Sequence, residues 1–182
     1  MGTFDISGTR VAFLCTNGVE QVELTRPWQA VVDAGGTPVL VSPEAGSITA
    51  MENDWDHADS FDVDVVLAEA SAEQFDALVL PGGTVNADTM RLAKGAAAFV
   101  REFFEAEKPV AAICHAPWIL IDAGVAKGRT MTSYKSVALD LMNAGAVWID
   151  EEVVADGSLT TSRSPGDLDA FCAKLVERIS AA

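Results

Sequence analysis

Four short and almost entirely apolar segments recur along this chain, and they constrain its fold more than any other feature. They lie at residues 10–15, 37–42, 77–80 and 110–113. Each has the length of a strand, and the stretches between them leave room for helices. A strand that lacks polar alternation is buried on both faces, as in a parallel sheet covered by helices. The pattern therefore predicts an α/β fold, with a mostly parallel central sheet between two layers of helices.

The first three elements already form the expected crossover. Val22, Leu24, Trp28 and Val31 recur at helical spacing after the first strand, and Gly35 ends this helix before the second strand. A strand, a helix and a strand in succession predict a parallel βαβ unit. The alternation resumes after residue 77, with helices expected at 95–107, 118–123, 137–143 and 167–180 and strands at 129–132, 146–149, 152–155 and 159–161. Residues 43–70 are rich in Asp, Asn and Gly and predict a small hairpin or excursion, with β-prone pieces at 48–51 and 63–67.

Length and charge limit the domain organisation and the partners. A chain of 182 residues predicts one domain, spanning residues 1–182 with a core from about 10 to 180. Its 12 Lys and Arg face 27 Asp and Glu, for a net charge of −15. Such a surface repels phosphate backbones and anionic lipid, so neither nucleic acid nor a membrane is expected as a partner.

Cysteine and histidine usage limits the chemistry and the compartment. The apolar runs are too short to span a membrane, and residues 1–5 lack the features of a secretory signal. Cys15, Cys114 and Cys172 form no CxxC pattern, which disfavours a disulfide framework or a zinc site and favours a reduced, cytoplasmic setting. His57 and His115 are too few for a multi-histidine metal centre. We therefore expect no metal and no cofactor.

Unusual residues follow three of the predicted strands. They are residues 17–23, the Pro81-Gly82-Gly83 turn and the Cys114-His115 pair. Ligands of open parallel sheets bind beyond the carboxyl ends of the strands, so these segments are expected to converge at one edge.

Cys114 is the strongest single candidate for catalysis. It lies between a predicted strand and a predicted helix, and the small residues Ala112 and Ala116 flank it as a tight strand–nucleophile–helix turn requires. A helix start favours the thiolate over the thiol, and His115 adds a group that can transfer protons. The alternative is a buried structural cysteine, which is the interpretation that we adopt for Cys15 and Cys172.

Two acids and two glycines are the next candidates. Glu20 and Glu23 are three residues apart in a predicted first helical turn, so both are expected to project to one side. Either complements the helix dipole or acts as an acid or base toward a neighbouring thiol. Gly82 and Gly83 expose backbone N–H groups, which together with the His115 amide predict an oxyanion hole, although such a turn is weak evidence alone.

The remaining site candidates are less determined by the sequence. Tyr134 follows a strand end and is expected to line a pocket; Trp118 lines it too or packs in the core. No histidine follows His115, so a Cys-His-Glu triad of the glutaminase kind cannot be assembled from this chain. A carboxylate that orients His115 must come from elsewhere, either Asp88, in a loop expected at residues 84–88, or an acid of a second subunit.

The combined motifs resemble the ThiJ/PfpI superfamily, whose members are similar to class I glutamine amidotransferases. The matching segments are residues 17–24, 75–83 and 112–117, extended by 128–130, 132–134, 143–146 and 161–163. The resemblance covers roughly residues 10–180 and is greatest to the PfpI-like branch of intracellular proteases and general stress proteins.

This resemblance implies a flavodoxin-like three-layer α/β/α sandwich and a site without a cofactor. It implies that Cys114 is the nucleophile, that His115 is its neighbour and that Glu23 contacts the sulfur, with Glu20 as the second acid. It further implies an oxyanion site at Gly83 and the His115 amide, and a pocket residue at Tyr134. Protease-like members are dimers or larger rings in which an adjacent subunit supplies the carboxylate to the histidine.

Two functions follow from the resemblance. The first is a stress-response enzyme, a hydrolase or lyase that acts on peptides, reactive aldehydes or glycated groups through a Cys114 adduct. The second is a redox-sensing protein or chaperone in which Cys114 is oxidised. A ligand-binding module without catalysis is the third alternative, and it requires an unreactive Cys114.

Overall fold

The structure is a computed structural model that describes residues 4–182. Within that part of the chain the strands are β1 (Arg10–Leu14), β2 (Thr37–Ser42), β3 (Ser47–Glu52), β4 (Asp56–Asp62), β5 (Val65–Val66), β6 (Ala77–Leu80), β7 (Val110–Ile113), β8 (Thr130–Met131), β9 (Val147–Trp148), β10 (Val153–Asp156) and β11 (Leu159–Ser162). The α-helices are α1 (Gln21–Asp33), α2 (Thr84–Leu92), α3 (Ala96–Glu105), α4 (Trp118–Asp122), α5 (Ala138–Asn143) and α6 (Leu168–Ser180).

The central sheet has seven strands in the order β10-β11-β7-β6-β1-β2-β5. Its neighbours pair in parallel, except that the edge strand β10 runs antiparallel to β11. The β3–β4 hairpin and the short parallel pair β8–β9 form two further small sheets. The predicted α/β class with a mostly parallel sheet is confirmed.

The sheet is buried on both faces, which explains why its strands are continuously apolar. On one face of the sheet, Leu14 of β1 packs in a buried cluster that α2, α3, α4 and α5 cover. Phe103 of α3 is a fully buried member of that cluster. Phe13, the preceding residue, points to the opposite cluster with Phe171 of α6, where α1 and the hairpin also pack. Side chains alternate across a strand, so one apolar run supplies two cores.

Two expectations for the segments between strands were wrong. The sequence assigned residues 84–88 to a loop, but they begin α2, whose few buried apolar side chains give a weak helical period. The expected hairpin piece at 63–67 contains β5, which pairs with β2 in the central sheet. The second hairpin strand is instead the acidic β4, which tolerates charge because much of it faces water.

The sheet order brings the candidate segments together. Strands β7, β6 and β1 are neighbours, and the residues that follow them are Cys114, Pro81 and Cys15. Because the three strands are parallel, their carboxyl ends meet at one edge, as expected from the sequence. None of the helices formed by residues 4–182 has both the length and the hydropathy of a membrane span.

The acidic surface predicts a protein whose stability rises with salt. The net charge is −15, and five ion pairs are found within residues 4–182. Raising NaCl from 10 mM to 1 M shortens the Debye length from about 30 Å to about 3 Å and screens repulsion between the acids. We expect stabilisation of about 1–2 kcal/mol, or roughly 3–6 °C in Tm by differential scanning calorimetry.

KCl is the control, because screening of like charges does not depend on which monovalent cation provides it. An unchanged or lower Tm at 1 M of either salt would contradict this explanation.

Candidate active site

Cys114 occupies a strained turn at the end of β7. Its φ angle is 62°, in the left-handed region that non-glycine residues rarely adopt. Neighbouring elements hold this conformation on both sides: the Cys114 N–H donates to the Ser162 carbonyl at 3.1 Å, and the Cys114 carbonyl accepts from the Tyr134 N–H at 2.8 Å. Strain of this kind persists only where the surroundings determine it, and it is concentrated at functional sites.

The glycines after β6 allow the backbone to approach this turn. A Cβ on Gly82 would clash with the Glu23 carboxylate and lie 2.7 Å from the Cys114 Cβ. Gly83 has a φ angle of 90°, and a Cβ there would clash with the Gly18 carbonyl. Both positions therefore require glycine, because each is a point of close approach between strand ends.

Backbone amides surround the sulfur of Cys114. The Gly83 and His115 N–H groups lie near this sulfur, and both act to lower its pKa. These are the two amides that the sequence predicted as an oxyanion hole. The residue as a whole is 6% exposed, so the sulfur lies just below the surface.

Glu23 lies beneath the sulfur and is fully buried. Its Oε2 accepts a hydrogen bond from the Gly82 N–H at 2.9 Å, whereas Oε1 has no hydrogen-bonding N or O partner within residues 4–182. Burial raises the pKa of Glu23 to about 8, and the negative charges of Glu20 and Asp54 add to this shift. Glu23 therefore retains its proton at neutral pH.

Cys114 and Glu23 act on each other's ionisation. The two side chains are neighbours in the same buried site, and burial together with the charge of an ionised Glu23 raises the pKa of Cys114. The sequence predicted that the turn alone would favour the thiolate; burial outweighs the two amides, so the pKa is raised instead. Two anions in contact in a buried site are unfavourable, so the pair carries at most one negative charge near neutral pH.

Glu20 does not face the sulfur. It is the N-cap residue of α1, and its Oε1 and Oε2 accept the Asn53 and Asp54 N–H groups at 3.1 Å each. The sequence placed Glu20 in the first helical turn with Glu23, but Glu20 precedes the helix, and its carboxylate is bonded to the hairpin. Its charge reaches the site through Glu23, whose pKa it raises.

His115 lies beside the thiol, between two aromatic rings. Its Nδ1 is 3.2 Å from the Cys114 sulfur, and its Nε2 is 3.2 Å from the Ser136 Oγ. The Tyr134 ring stacks on the imidazole at 4.6 Å between centroids, and the Trp118 ring lies at 5.3 Å. Burial lowers the pKa of His115, so the imidazole is neutral at pH 7.

The two aromatic candidates form the wall around this imidazole. Tyr134 is 43% exposed, and its ring covers one face of His115. Trp118 is fixed by a 2.8 Å bond from its Nε1 to Asp140 and by Arg91 above its ring. Both side chains therefore lie where a molecule that approaches the sulfur would contact them.

Asp88 does not contact His115 within this chain. It is exposed on α2, and its charge acts on Arg91 instead. The same helix does reach the imidazole through Thr84, whose Oγ1 is 3.5 Å from both ring nitrogens. The carboxylate whose charge acts on the pKa of His115 is Asp54, at the tip of the β3–β4 hairpin.

Four residues that surround the candidate site were not predicted from the sequence: Asp54, Thr84, Asn86 and Ser136. Asn86 is buried on α2, where its Oδ1 accepts the Thr16 N–H at 2.7 Å and its Nδ2 donates to the Pro81 and Gly82 carbonyls. It thereby joins the ends of β1 and β6. None of the four lies in a motif of its own, and the only available signal was the Asn53-Asp54 pair, which tolerates a left-handed turn.

The described residues do not provide a metal centre. Across residues 4–182, no three His, Cys, Asp or Glu side chains are grouped as a metal ion would require. The reactive groups found at the site are a sulfur, an imidazole, a carboxyl group and backbone amides.

Glu23→Gln is expected to stabilise the protein in a pH-dependent manner. The pKa of Glu23 is about 8 in the folded chain against 4.5 for an unperturbed glutamate. Between these values the folded state keeps a proton that the unfolded chain has lost, so the contribution of Glu23 to stability falls as pH rises. Glutamine has the same shape and no charge to bury. We expect a gain of about 1–3 kcal/mol in the free energy of unfolding at pH 7.5, which shrinks toward pH 5.

Urea denaturation at the two pH values measures this gain, and Glu44→Gln, at an exposed position, controls for the change in formal charge. An equal gain from Glu23→Gln at both pH values would show that Glu23 is not protonated by its burial.

Comparison with known proteins places this geometry in a family. The model of the DJ-1/PfpI family matches residues 9–178. The chain is 44% identical over 168 residues to Deglycase PfpI of Pyrococcus furiosus, which covers 92% of this chain and 98% of that protein. It is 42% identical over 168 residues to Deglycase PH1704 of Pyrococcus horikoshii, with the same two coverages.

A solved structure agrees with these sequence relatives. The crystal structure of DJ-1beta from Drosophila melanogaster superposes with a TM-score of 0.85 at 28% identity. The match covers 96% of this chain and 91% of that chain. The flavodoxin-like architecture and the resemblance noted from the sequence are thus both confirmed: the chain belongs to the DJ-1/PfpI family.

Proposed function

We propose that this chain is a PfpI-like enzyme in which the Cys114 thiolate adds to an electrophilic carbonyl. The observation that carries the proposal is the surroundings of one sulfur: two backbone N–H groups, a protonated carboxyl group and an imidazole all face it. Each of these groups assists nucleophilic addition. The relatives named deglycases support the same class of reaction.

The addition step uses the site as follows. The thiol proton passes to His115, whose Nδ1 is 3.2 Å from the sulfur, while Glu23 keeps its own proton and faces the thiolate as a donor. The sulfur forms a bond to the carbonyl carbon, and the π electron pair moves to the carbonyl oxygen. The Gly83 and His115 amides stabilise the resulting oxyanion, and return of the proton gives a neutral thiohemiacetal. Glu23 and His115 are both available for the proton transfers that follow.

The shape of the site favours small carbonyl groups. Cys114 is 6% exposed and His115 5% exposed, with the Tyr134 and Trp118 rings beside them. A reactive aldehyde, or a glycated group on the end of a long side chain, reaches such a sulfur more readily than a peptide bond in a folded chain. We therefore propose reactive aldehydes and glycated groups as substrates, with peptide cleavage as the alternative that the assay decides.

The proposal also covers the cellular compartment, the domain organisation and the oligomeric state. Three free cysteines support a reducing, cytoplasmic environment. We further propose one catalytic domain and a homodimer or larger homo-oligomer, since the partly exposed rings at the site leave a surface that a second copy can cover. Small carbonyl compounds or peptides are the substrates, and no cofactor takes part.

Replacement of Cys114 tests the proposal. Cys114→Ser is expected to reduce the turnover of methylglyoxal, or of a glycated peptide, by at least about 10³-fold, because the nucleophile is lost. Cys172→Ser is the matched control, since Cys172 lies away from the strand ends on α6. Substrate loss is followed by chromatography, and a labelled unmodified peptide is assayed in parallel.

Unchanged rates in Cys114→Ser would rule out this mechanism. Cleavage of the unmodified peptide, with no loss of aldehyde or glycated substrate, would assign a peptidase instead.

A redox-sensing function is the second candidate, and the state of Glu23 favours it. A sulfinate at Cys114 is anionic, and the protonated Glu23 can donate a hydrogen bond to one of its oxygens. Each of the two oxygens would come from one molecule of hydrogen peroxide, which leaves as water. The fold would then report the oxidation through partner binding or chaperone activity.

Mild peroxide treatment distinguishes the two functions. Mass spectrometry is expected to find two oxygens on Cys114 and fewer on Cys15 and Cys172, because the protonated Glu23 and the nearby amides stabilise the sulfinate that forms at Cys114. Selective oxidation without any aldehyde or peptide turnover favours the sensor. Equal oxidation of the three cysteines would contradict a sensing role.

A further inference from the structure

The residues that follow β8 cross the cysteine turn and are bonded to it through the backbone. The Tyr134 N–H donates to the Cys114 carbonyl at 2.8 Å, and the Tyr134 ring stacks on His115. Cys114 has a φ angle of 62°, a conformation that its surroundings have to impose. The contacts that fix residues 132–134 therefore also fix the turn that carries the sulfur.

A threonine hydroxyl fixes the start of this segment to the central sheet. Thr161 lies on β11 and is fully buried, and its Oγ1 accepts the Thr132 N–H at 2.9 Å. The next residue of β11, Ser162, accepts the Cys114 N–H through its carbonyl at 3.1 Å. Two consecutive residues of one strand thus hold both the cysteine turn and the segment that crosses it.

A serine hydroxyl fixes the end of the segment. Ser133 is fully buried, and its Oγ accepts the Trp148 Nε1–H at 3.0 Å and donates to the Tyr134 carbonyl at 2.9 Å. The Val137 N–H donates to the same carbonyl at 3.0 Å. The backbone of Tyr134 is therefore bonded on both sides, at its N–H by the cysteine turn and at its carbonyl by two donors.

We propose that Thr161 and Ser133 are positioning residues, whose hydroxyls hold the Cys114 sulfur against the backbone amides of the site. The inference rests on the proposed function, because it concerns the nucleophile of that reaction. The partners of the two hydroxyls are backbone groups and an indole, so their effect on the sulfur is transmitted through residues 132–134.

These two hydroxyls matter because the cysteine turn is strained. A cysteine released from its neighbours relaxes toward a negative φ angle, which turns its side chain away from its present direction. The sulfur then loses the amides that favour its thiolate, while burial beside Glu23 continues to disfavour it. A displaced sulfur is therefore less ionised as well as less well placed for attack.

Two neighbouring threonines on β11 allow a matched test. Thr161→Val replaces the hydroxyl by a methyl group and leaves the Thr132 N–H without its acceptor. Thr160→Val is the control, because Thr160 is also buried but its Oγ1 has no hydrogen-bonding N or O partner within residues 4–182. Thr161→Ser restores the hydroxyl. The reaction that is followed is alkylation of Cys114 by iodoacetamide at neutral pH, with each modified cysteine identified by mass spectrometry.

We expect the alkylation rate constant of Cys114 to fall at least about fivefold in Thr161→Val, because the thiolate fraction falls, and to stay within about twofold in Thr160→Val and Thr161→Ser. A general loosening of the fold would act in the opposite direction, since it would expose Cys114 together with the buried Cys15. The proposal is overturned if the rate at Cys114 is unchanged or higher in Thr161→Val, if it falls as far in Thr160→Val, or if Thr161→Ser does not restore it.

Ser133 provides a second test, which holds even if Thr161→Val does not fold. Ser133→Ala is expected to slow the alkylation of Cys114 at least about threefold, whereas Ser42→Ala, which removes a buried hydroxyl at the end of β2, leaves it unchanged. Equal alkylation rates of Cys114 in the two serine variants overturn the role of Ser133.

Turnover separates this proposal from the proposed function. Methylglyoxal turnover is expected to fall at least about tenfold in Thr161→Val, since a displaced nucleophile attacks poorly. Alkylation needs no substrate, so it tests the positioning of Cys114 even if Cys114→Ser retains full activity and the proposed function fails.

Discussion

The candidate site is organised around a carboxyl group kept out of water beside a thiol. Glu23 is fully buried, and burial holds its pKa near 8. The carboxyl is therefore a proton donor at neutral pH, and it can stabilise an anion on Cys114 rather than repel one. A buried ionisable residue of this kind destabilises a fold wherever the unfolded chain would ionise it, so its place beside a strained cysteine fits a functional role better than a stabilising one.

The rest of the fold brings partners to that pair from separate elements. Parallel neighbours β7, β6 and β1 end at one edge, so that the cysteine turn, the double glycine and α1 meet there. Asn86 joins two of these ends, and the Tyr134 N–H fixes the cysteine turn from the opposite side. These contacts are made by backbone groups or by a buried side-chain amide. Breaking one of them would leave a polar group inside the protein without a hydrogen-bond partner, which is unfavourable, so the contacts hold the site in place.

The sequence predicted the sheet and the central part of the site, and it failed where distant segments meet. Continuous apolar strands and glycine turns are local signals, so the convergence around Cys114 followed from them. The direction of Glu20 did not, because it is set by amides 33 and 34 residues away. Asp54 and Thr84 likewise lie in segments without periodicity, and α2 has too few apolar positions to be recognised.

The position of the β3–β4 hairpin has a consequence for how such sites diversify. The hairpin is inserted between β2 and β5, which are adjacent in the sheet, so its two ends leave the scaffold side by side. Changes in its length or at its tip leave the pairing of the central strands intact. They alter the charge near the His115 imidazole, which Asp54 now provides. Substitutions, insertions or deletions in this hairpin can therefore change the pKa of His115 during evolution while the central sheet and its core stay the same.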